Sequence, residues 1–261
     1  MPEKEPFQLD YERYAINKTL QKIAKKLELK TVLEVPAMGL KALPSLYSLG
    51  YAEAGCQIDL INPEPSGLAA WKELGYTVNS IHTKKLHQLP IKDNTYDLVW
   101  NFASFPMLEH RKELLDEMKR VSKKYVMILC VNGYNVGSPI HRTLHKINKV
   151  PWTHGDKYFL YPKNLRAFMK EAGLKIVKSD VMNCPIWPDT VGFRDMKFHK
   201  MENTQQKKPE NIEWEANTLT YMKNKNYPSW IKAMYTFESI PLPLFLKHTY
   251  SHLYYVIGEK Q

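Results

Sequence analysis

The chain is poor in cysteine: Cys56, Cys130 and Cys184 are its three thiols, far apart and with no C-x-x-C spacing. That scarcity excludes a disulfide framework and fits reduced side chains, two of them in core strands, of a cytoplasmic protein. Long apolar runs are missing too. The nearest candidate for a membrane span, Leu242 to Ile257, is broken by Lys247, His248 and His252. The stretch Met1-Pro2-Glu3-Lys4-Glu5-Pro6 has charge but no apolar core, so no secretory leader is expected. There is no glycine-rich Walker loop, nucleophile elbow or thiol dyad, and no internal repeat or low-complexity tract. Acidic residues are in deficit. Against 37 Lys and Arg stand 27 Asp and Glu, a formal net charge of +10.

What is present is ordinary globular material. With 44% hydrophobic residues in 261, the chain is one large α/β domain or one domain with a substantial insertion. Lysines cluster at Lys18, Lys22, Lys25 and Lys26, and again at Lys197, Lys200, Lys207 and Lys208. Solvated faces explain such clusters most simply. The sharper reading is a field that attracts an anionic substrate, a nucleic acid or a membrane surface. No RNA-binding motif interleaves the aromatics with the basic residues, so nucleic acid is not the favoured partner.

The organising stretch runs from Thr31 to Asn62. Thr31-Val32-Leu33-Glu34-Val35 is short and rich in β-branched residues, as expected of a strand buried on both faces. Pro36 stops it by removing a ladder donor, and Gly39 is free to take a positive φ. A helix is expected from Pro44 to the stop at Gly55, then a strand over Cys56 to Ile61, ending at Asn62-Pro63-Glu64-Pro65. Strand, loop, helix and strand of this length make a right-handed βαβ unit, with the loops at the carboxyl ends of the strands, where open α/β sheets bind ligands.

The flanking segments continue the pattern. Ile16, Leu20, Ile23 and Leu27 mark a helix over Tyr11 to Leu27 with one buried stripe, its opposite face carrying the first lysine cluster. Ser66 to Leu74 reads as a short helix closed by Gly75, and Thr77 to Ile81 as the third strand. Asp93-Asn94 turns the chain into a buried strand, Tyr96 to Phe102. A helix runs to Val121 with Leu114, Leu115 and Met118 inward, and Tyr125 to Val131 is the fifth strand. Gly133 and Gly137 follow it, permitting close backbone approach to a ligand. Leu165 to Ala172 is helical, Leu174 to Val177 opens the sixth strand, and His252 to Ile257 is the last.

Three pieces together resemble the class I S-adenosylmethionine-dependent methyltransferases. They are the strand–acid–turn of Glu34 and Pro36 to Leu40, the Leu89-Pro90…Asp93-Asn94…Tyr96-Asp97-Leu98-Val99 run followed by Leu108-Glu109-His110, and Glu171-Ala172-Gly173-Leu174. The turn keeps one glycine, Gly39, and the usual second acid is an amide, Asn62. The resemblance implies a Rossmann-like, doubly wound α/β sheet of about seven strands, mostly parallel with an antiparallel carboxyl-terminal strand. Helices would cover both faces. It also implies S-adenosylmethionine as cofactor. Glu34 would meet the methionine amino group and Asn62 the ribose, with Pro36, Ala37 and Gly39 in the turn and Pro63, Leu86, Asn101 and Phe102 completing the cradle. Lys85 falls near the place where the family has an acid for the adenine amino group, and a cation cannot accept that hydrogen bond. The leading helix would bring Tyr11 or Tyr14 near the site, although a core or surface role is the plainer expectation for either.

The expected organisation is a cofactor-binding core over 1–181, an acceptor-side cap inserted over 182–249, and the last strand over 250–261. The cap carries Trp187, Phe193, Trp214, Tyr221, Tyr227, Trp230, Tyr235 and Phe237, with Trp187 and Trp230 the candidates for walling an apolar acceptor. A secondary core against the sheet is the plainer use of these rings. Lys200 to Asn211 reads as a mobile loop. Methyl transfer from a sulfonium needs alignment more than covalent help, so no catalytic side chain is compelled. His110, His141 and His154 are the candidates for a base. His141 and His145 stand four apart with His154 nearby, but such pairs arise readily by chance, and no metal is expected. The expected function is methyl transfer to a small or amphipathic acceptor. A binding or scaffold protein that keeps the fold without catalysis, and an RNA-modifying or RNA-binding protein, are the alternatives.

Overall fold

A computed structural model describes residues 3–4, 7–38, 43–185, 214–215 and 217–261. The strands are β1 (Glu3–Lys4), β2 (Thr31–Glu34), β3 (Gln57–Ile61), β4 (Asn79–Ile81), β5 (Tyr96–Phe102), β6 (Ser122–Val131), β7 (Leu174–Met182), β8 (Trp214–Glu215) and β9 (Leu253–Lys260). Seven of them form one sheet in the order β4-β3-β2-β5-β6-β9-β7. All neighbours pair in parallel except β9, which runs antiparallel to both β6 and β7. β1 and β8 make a separate two-residue parallel ladder.

Successive residues of the central strands enter opposite cores, as the period of two requires. Val32, Leu98, Trp100 and Met127 pack on one face with α1 (Phe7–Lys26) and α2 (Leu49–Glu53). Leu33, Val99, Val126 and Ile128 pack on the other with α4 (Arg111–Val121) and α6 (Pro162–Glu171). In chain order α3 (Pro65–Glu73) falls between α2 and α4, and α5 (Gly137–Ile147) between α4 and α6. This is the doubly wound sheet with one reversed strand that the resemblance implies.

Several expected boundaries move, each for a visible reason. The helix expected from Pro44 shrinks to the five residues of α2, because Leu43 and Ser45 hold positive φ values of 58° and 56° and cannot lie in a right-handed helix. The Ser45 hydroxyl instead donates to Ala37 O and accepts from Glu64 N, and Ser45 O accepts from Trp71 Nε1 at 2.8 Å. β7 runs on to Met182 and β9 to Lys260, because their antiparallel ladder extends from Leu174↔Lys260 to Met182↔Leu253, with one register shift between Ile176 and Lys178. Gly133 makes its close approach to the chain itself: a Cβ there would lie 2.8 Å from Leu160 Cβ, and its N–H bonds Leu160 O.

The leading helix is buried on more than one stripe. Tyr11, Glu12, Arg13, Ala15, Ile16 and Asn17 are all buried, because helices from the carboxyl-terminal third cover the side the sheet does not. These are α7 (Asn217–Asn224) and α8 (Ser229–Glu238), followed by α9 (Leu244–Tyr250). Met222, Tyr227 and Ile231 join the α1 core, and the Tyr14 ring sits 4.8 Å from Tyr227 and 5.5 Å from Tyr235. For these rings the plainer expectation, a secondary core, is what the structure shows. Trp187, Phe193, Gly39 and the lysines from Lys197 to Lys208 lie outside the described residues.

The α1–α2 contact depends on a missing side chain. A Cβ on Gly50 would lie 2.5 Å from Asn17 O and 2.7 Å from its Cα, and backbone cannot step aside as a flexible side chain can. Gly50→Ala is therefore expected to destabilise the protein by about 1–3 kcal/mol. Urea unfolding checks it: the midpoint should fall at unchanged slope. An unmoved midpoint would mean that the two helices do not meet as described.

Candidate functional site

β2 is joined through α2 to β3 on one side, while β5 flanks it on the other. Chain direction out of the sheet therefore reverses at the carboxyl ends of β2 and β5, the place where open sheets hold ligands. Glu34, the turn from Val35 to Met38, Asn62 and Asn101 to Ser104 all emerge there.

Glu34 shares the face of Val32 and is fully buried. Its Oε2 accepts from Ser48 Oγ at 2.6 Å, and Ser48 Oγ in turn accepts from Trp100 Nε1 at 2.9 Å. Oε1 is buried with no hydrogen-bond donor among the described residues. Burial pushes the carboxyl up to about 7, while the Ser48 hydroxyl and the Arg13 guanidinium offset only part of that rise. Arg13 lies over the Tyr47 ring at 3.7 Å and donates to Leu43 O at 2.8 Å. Tyr47 stacks on Phe102, centroids 3.5 Å apart and planes at 15°. Phe102 is thus covered from within by Tyr47.

The other cradle candidates are arranged around this group with much of their bonding capacity committed. Asn101 Nδ2 donates to Val35 O at 2.7 Å and Ser104 Oγ at 2.8 Å, and its Oδ1 accepts from Phe105 N at 2.9 Å. It locks two loops together. Asn62, at φ 53°, clasps the Thr83 backbone, donating to its O and accepting from its N, both at 2.8 Å. An amide has two N–H groups and two carbonyl lone pairs, so Asn62 keeps one of each for a ligand. In the turn, Val35 N bonds Trp100 O, Pro36 has no N–H, and Ala37 N bonds Ile61 O. Pro63 is buried, Leu86 packs partly against the second core, and Lys85 is exposed.

The histidines divide. His110, exposed at φ 51°, leads into α4 with its ring 4.9 Å from that of His87. His141 and His145 share one face of α5, and His154 returns to them. Trp230 stands 38% exposed on α8 while its neighbours Tyr227 and Ile231 turn to the core. Tyr11 is buried and donates to Glu238 Oε2 at 2.6 Å. A cavity of about 470 Å³ opens between α1, β7, β9 and α8, lined by Lys22, Lys26, Tyr235, Glu238 and Lys247. None of the cradle candidates lines it.

Ser48, Arg13 and Tyr47 are the neighbours of the candidate residues Glu34 and Phe102 that sequence reading missed. Ser48 and Tyr47 carry no local signal, being placed by an irregular segment. Arg13 did carry one: it stands three residues before Ile16, on the continuation of the buried stripe.

The raised pKa of Glu34 has a sign that can be tested. The native state keeps the proton to higher pH than the unfolded chain, whose glutamates ionise near the ordinary value of 4.5. The contribution is therefore fully present below about 4.5 and lost as pH rises through about 7. Between those limits the protein should lose about 3 kcal/mol at most relative to Glu34→Gln, which stays neutral throughout. Urea unfolding of both proteins across that pH window measures the difference. Parallel profiles would refute the assignment.

Residues 42–130 match the family described as methyltransferase domain. No curated protein matches the sequence. Among solved structures, the YcgJ protein of Bacillus subtilis is 12% identical at a TM-score of 0.53, with 94% of this chain and 98% of that one covered. A SAM-dependent methyltransferase of Thermotoga maritima is 14% identical at 0.50, covering 96% and 92%. The 4+2 cyclase SpnF is 15% identical at 0.52, covering 94% and 80%. At these identities the likeness is one of fold, and the domain match adds sequence evidence from α2 to β6. Residues 42–130 thus carry a sequence likeness to the methyltransferase domain family, and the sheet order is that of the class I S-adenosylmethionine-dependent methyltransferase fold.

Proposed function

We propose that the protein transfers a methyl group from S-adenosylmethionine to a small or amphipathic acceptor. The observation that supports this reading best is Glu34: a fully buried carboxyl at the strand-order reversal, with one oxygen lacking any donor among the described residues. Such an oxygen is costly to bury unless a ligand completes it. The ammonium of the cofactor's methionine moiety has the matching chemistry. A cation beside Glu34 would draw its pKa down from about 7 and convert it to the ionised partner. Asn62 keeps one donor and one acceptor for ribose hydroxyls after clasping Thr83.

When bound, the cofactor supplies a methyl group already activated by its sulfonium. The protein's part is then to hold donor and acceptor in line and to keep water out. Glu34, Ser48 and Trp100 form a rigid linked group that fixes one end, and Asn101, locked to Val35 and Ser104, fixes the β5 edge beside it.

The second reading, a binding protein that keeps the fold without catalysis, is favoured by one feature. The turn offers no spare N–H at Val35, Pro36 or Ala37, and the Tyr47–Phe102 stack fills space beside it. Cofactor binding separates the two. Calorimetric titration with S-adenosylhomocysteine is expected to give micromolar-range binding, and Glu34→Gln to weaken it roughly 10–100-fold, the worth of a hydrogen bond to a charged group. A flat titration of folded protein at millimolar ligand would remove the enzyme reading.

A further inference from the structure

We propose that His141, His145 and His154 bind one divalent transition-metal ion of the zinc class. Helix α5 sets His141 and His145 four residues apart and so on one face. Past the helix, Lys149 at φ 55° and Gly155 at φ 77° bend the chain back, and His154 meets that face. One potential ligand nitrogen from each ring lies within 4.8 Å of the others.

The geometry of the first pair is that of ligands already set. The two Nε2 atoms of His141 and His145 lie 3.2 Å apart. Tetrahedral zinc with nitrogen ligands at about 2.0–2.1 Å holds them roughly 3.3–3.4 Å apart. His145 is the buried member, and its Nδ1 lies 3.2 Å from Val150 O. A carbonyl oxygen only accepts, so Nδ1 carries the proton and Nε2 presents its lone pair. That is the outer support a metal-ligating imidazole characteristically has. His141 and His154 are half-buried, at the open side of the cluster.

The loop that brings His154 is fixed on both sides. Trp152 Nε1 donates to Gly155 O at 2.9 Å, and Asp156 N donates to Pro106 O at 2.9 Å. A Cβ on Gly155 would lie 2.5 Å from Pro106 O, so the approach requires glycine. Arg111 holds Asp156 at 3.2 Å. The Trp152 ring centroid lies 5.2, 5.1 and 4.8 Å from those of His141, His145 and His154, walling one side against water. The donor set contains no carboxylate, which disfavours magnesium and calcium and suits zinc, cobalt, nickel or copper. Three protein ligands leave a fourth position for water or an outside donor atom, the form of an open rather than a closed site.

The test uses the full chain, stripped by chelator and titrated with zinc chloride and cobalt(II) chloride in the absence of any methyl donor. One equivalent is expected to bind, with cobalt giving the intense visible absorption of a four-coordinate site. His141→Ala and His154→Ala should each lose at least roughly 100-fold in affinity, since losing even an outer hydrogen-bond partner costs 10–100-fold. His82→Ala and His110→Ala should bind as the parent does. A second readout needs no variant: zinc should protect His141 and His154 from carbethoxylation, read by peptide mass spectrometry. No stoichiometric binding, unprotected His141 and His154, or full affinity in the His141→Ala protein would overturn the proposal.

Discussion

A carboxyl group with no solvent exposure has to be held by something, and the way Glu34 is held shapes the ligand edge of this protein. Its one bonded oxygen reaches Ser48, and Ser48 reaches Trp100 on the neighbouring strand. Three elements that leave the sheet separately, the end of β2, the segment before α2 and the body of β5, are thereby joined through one hydroxyl. The segment before α2 cannot then be a regular helix. It carries Ser45 in a left-handed conformation, whose own hydroxyl ties the first turn to the start of α3. Two serines thus do what a longer helix and a glycine-rich turn would otherwise do. They satisfy buried polar groups while the backbone takes an irregular path.

The sheet was legible because most of its strands contain a short β-branched or aromatic run bounded by turn residues. Tyr96 to Phe102 was read to the residue, since Asp93-Asn94 and the apolar alternation after it leave one register open. The α2 region was not legible. Pro44 is a sound helix-starting residue, and no local rule announces that Leu43 and Ser45 flank it with positive φ. Asn62 and Asn101 lie at the carboxyl ends of their strands as expected, and their side chains are first of all clasps between loops. That follows from partners 21 and 66 residues away, which local pattern cannot see. Helix α1 failed differently: one stripe was visible by periodicity, while the second buried side depends on α7 and α8 packing there.

The domain match begins at residue 42, after the first strand and its turn, and ends within β6. The first strand and its turn, with Glu34, therefore lie outside the match, while Asn62 and Asn101 lie within it. A fold shared with a SAM-dependent methyltransferase of Thermotoga maritima and with a cyclase fixes where a ligand edge lies, not which reaction runs there. Chemistry has to be argued from Glu34, Asn62 and their neighbours.

The two proposed ligand positions share a cause and pose one electrostatic question. β5 delivers Asn101 to the cradle and continues directly through Phe105 and Pro106, on whose carbonyl the loop carrying His154 is anchored. Both would receive cations, a sulfonium with its ammonium in one and a divalent metal in the other, in a chain of net charge +10. Long-range repulsion of that kind is screened within about 8 Å at physiological salt. Groups in contact therefore decide, and they are suitable: a carboxyl that can ionise, and imidazoles that bind as neutral donors.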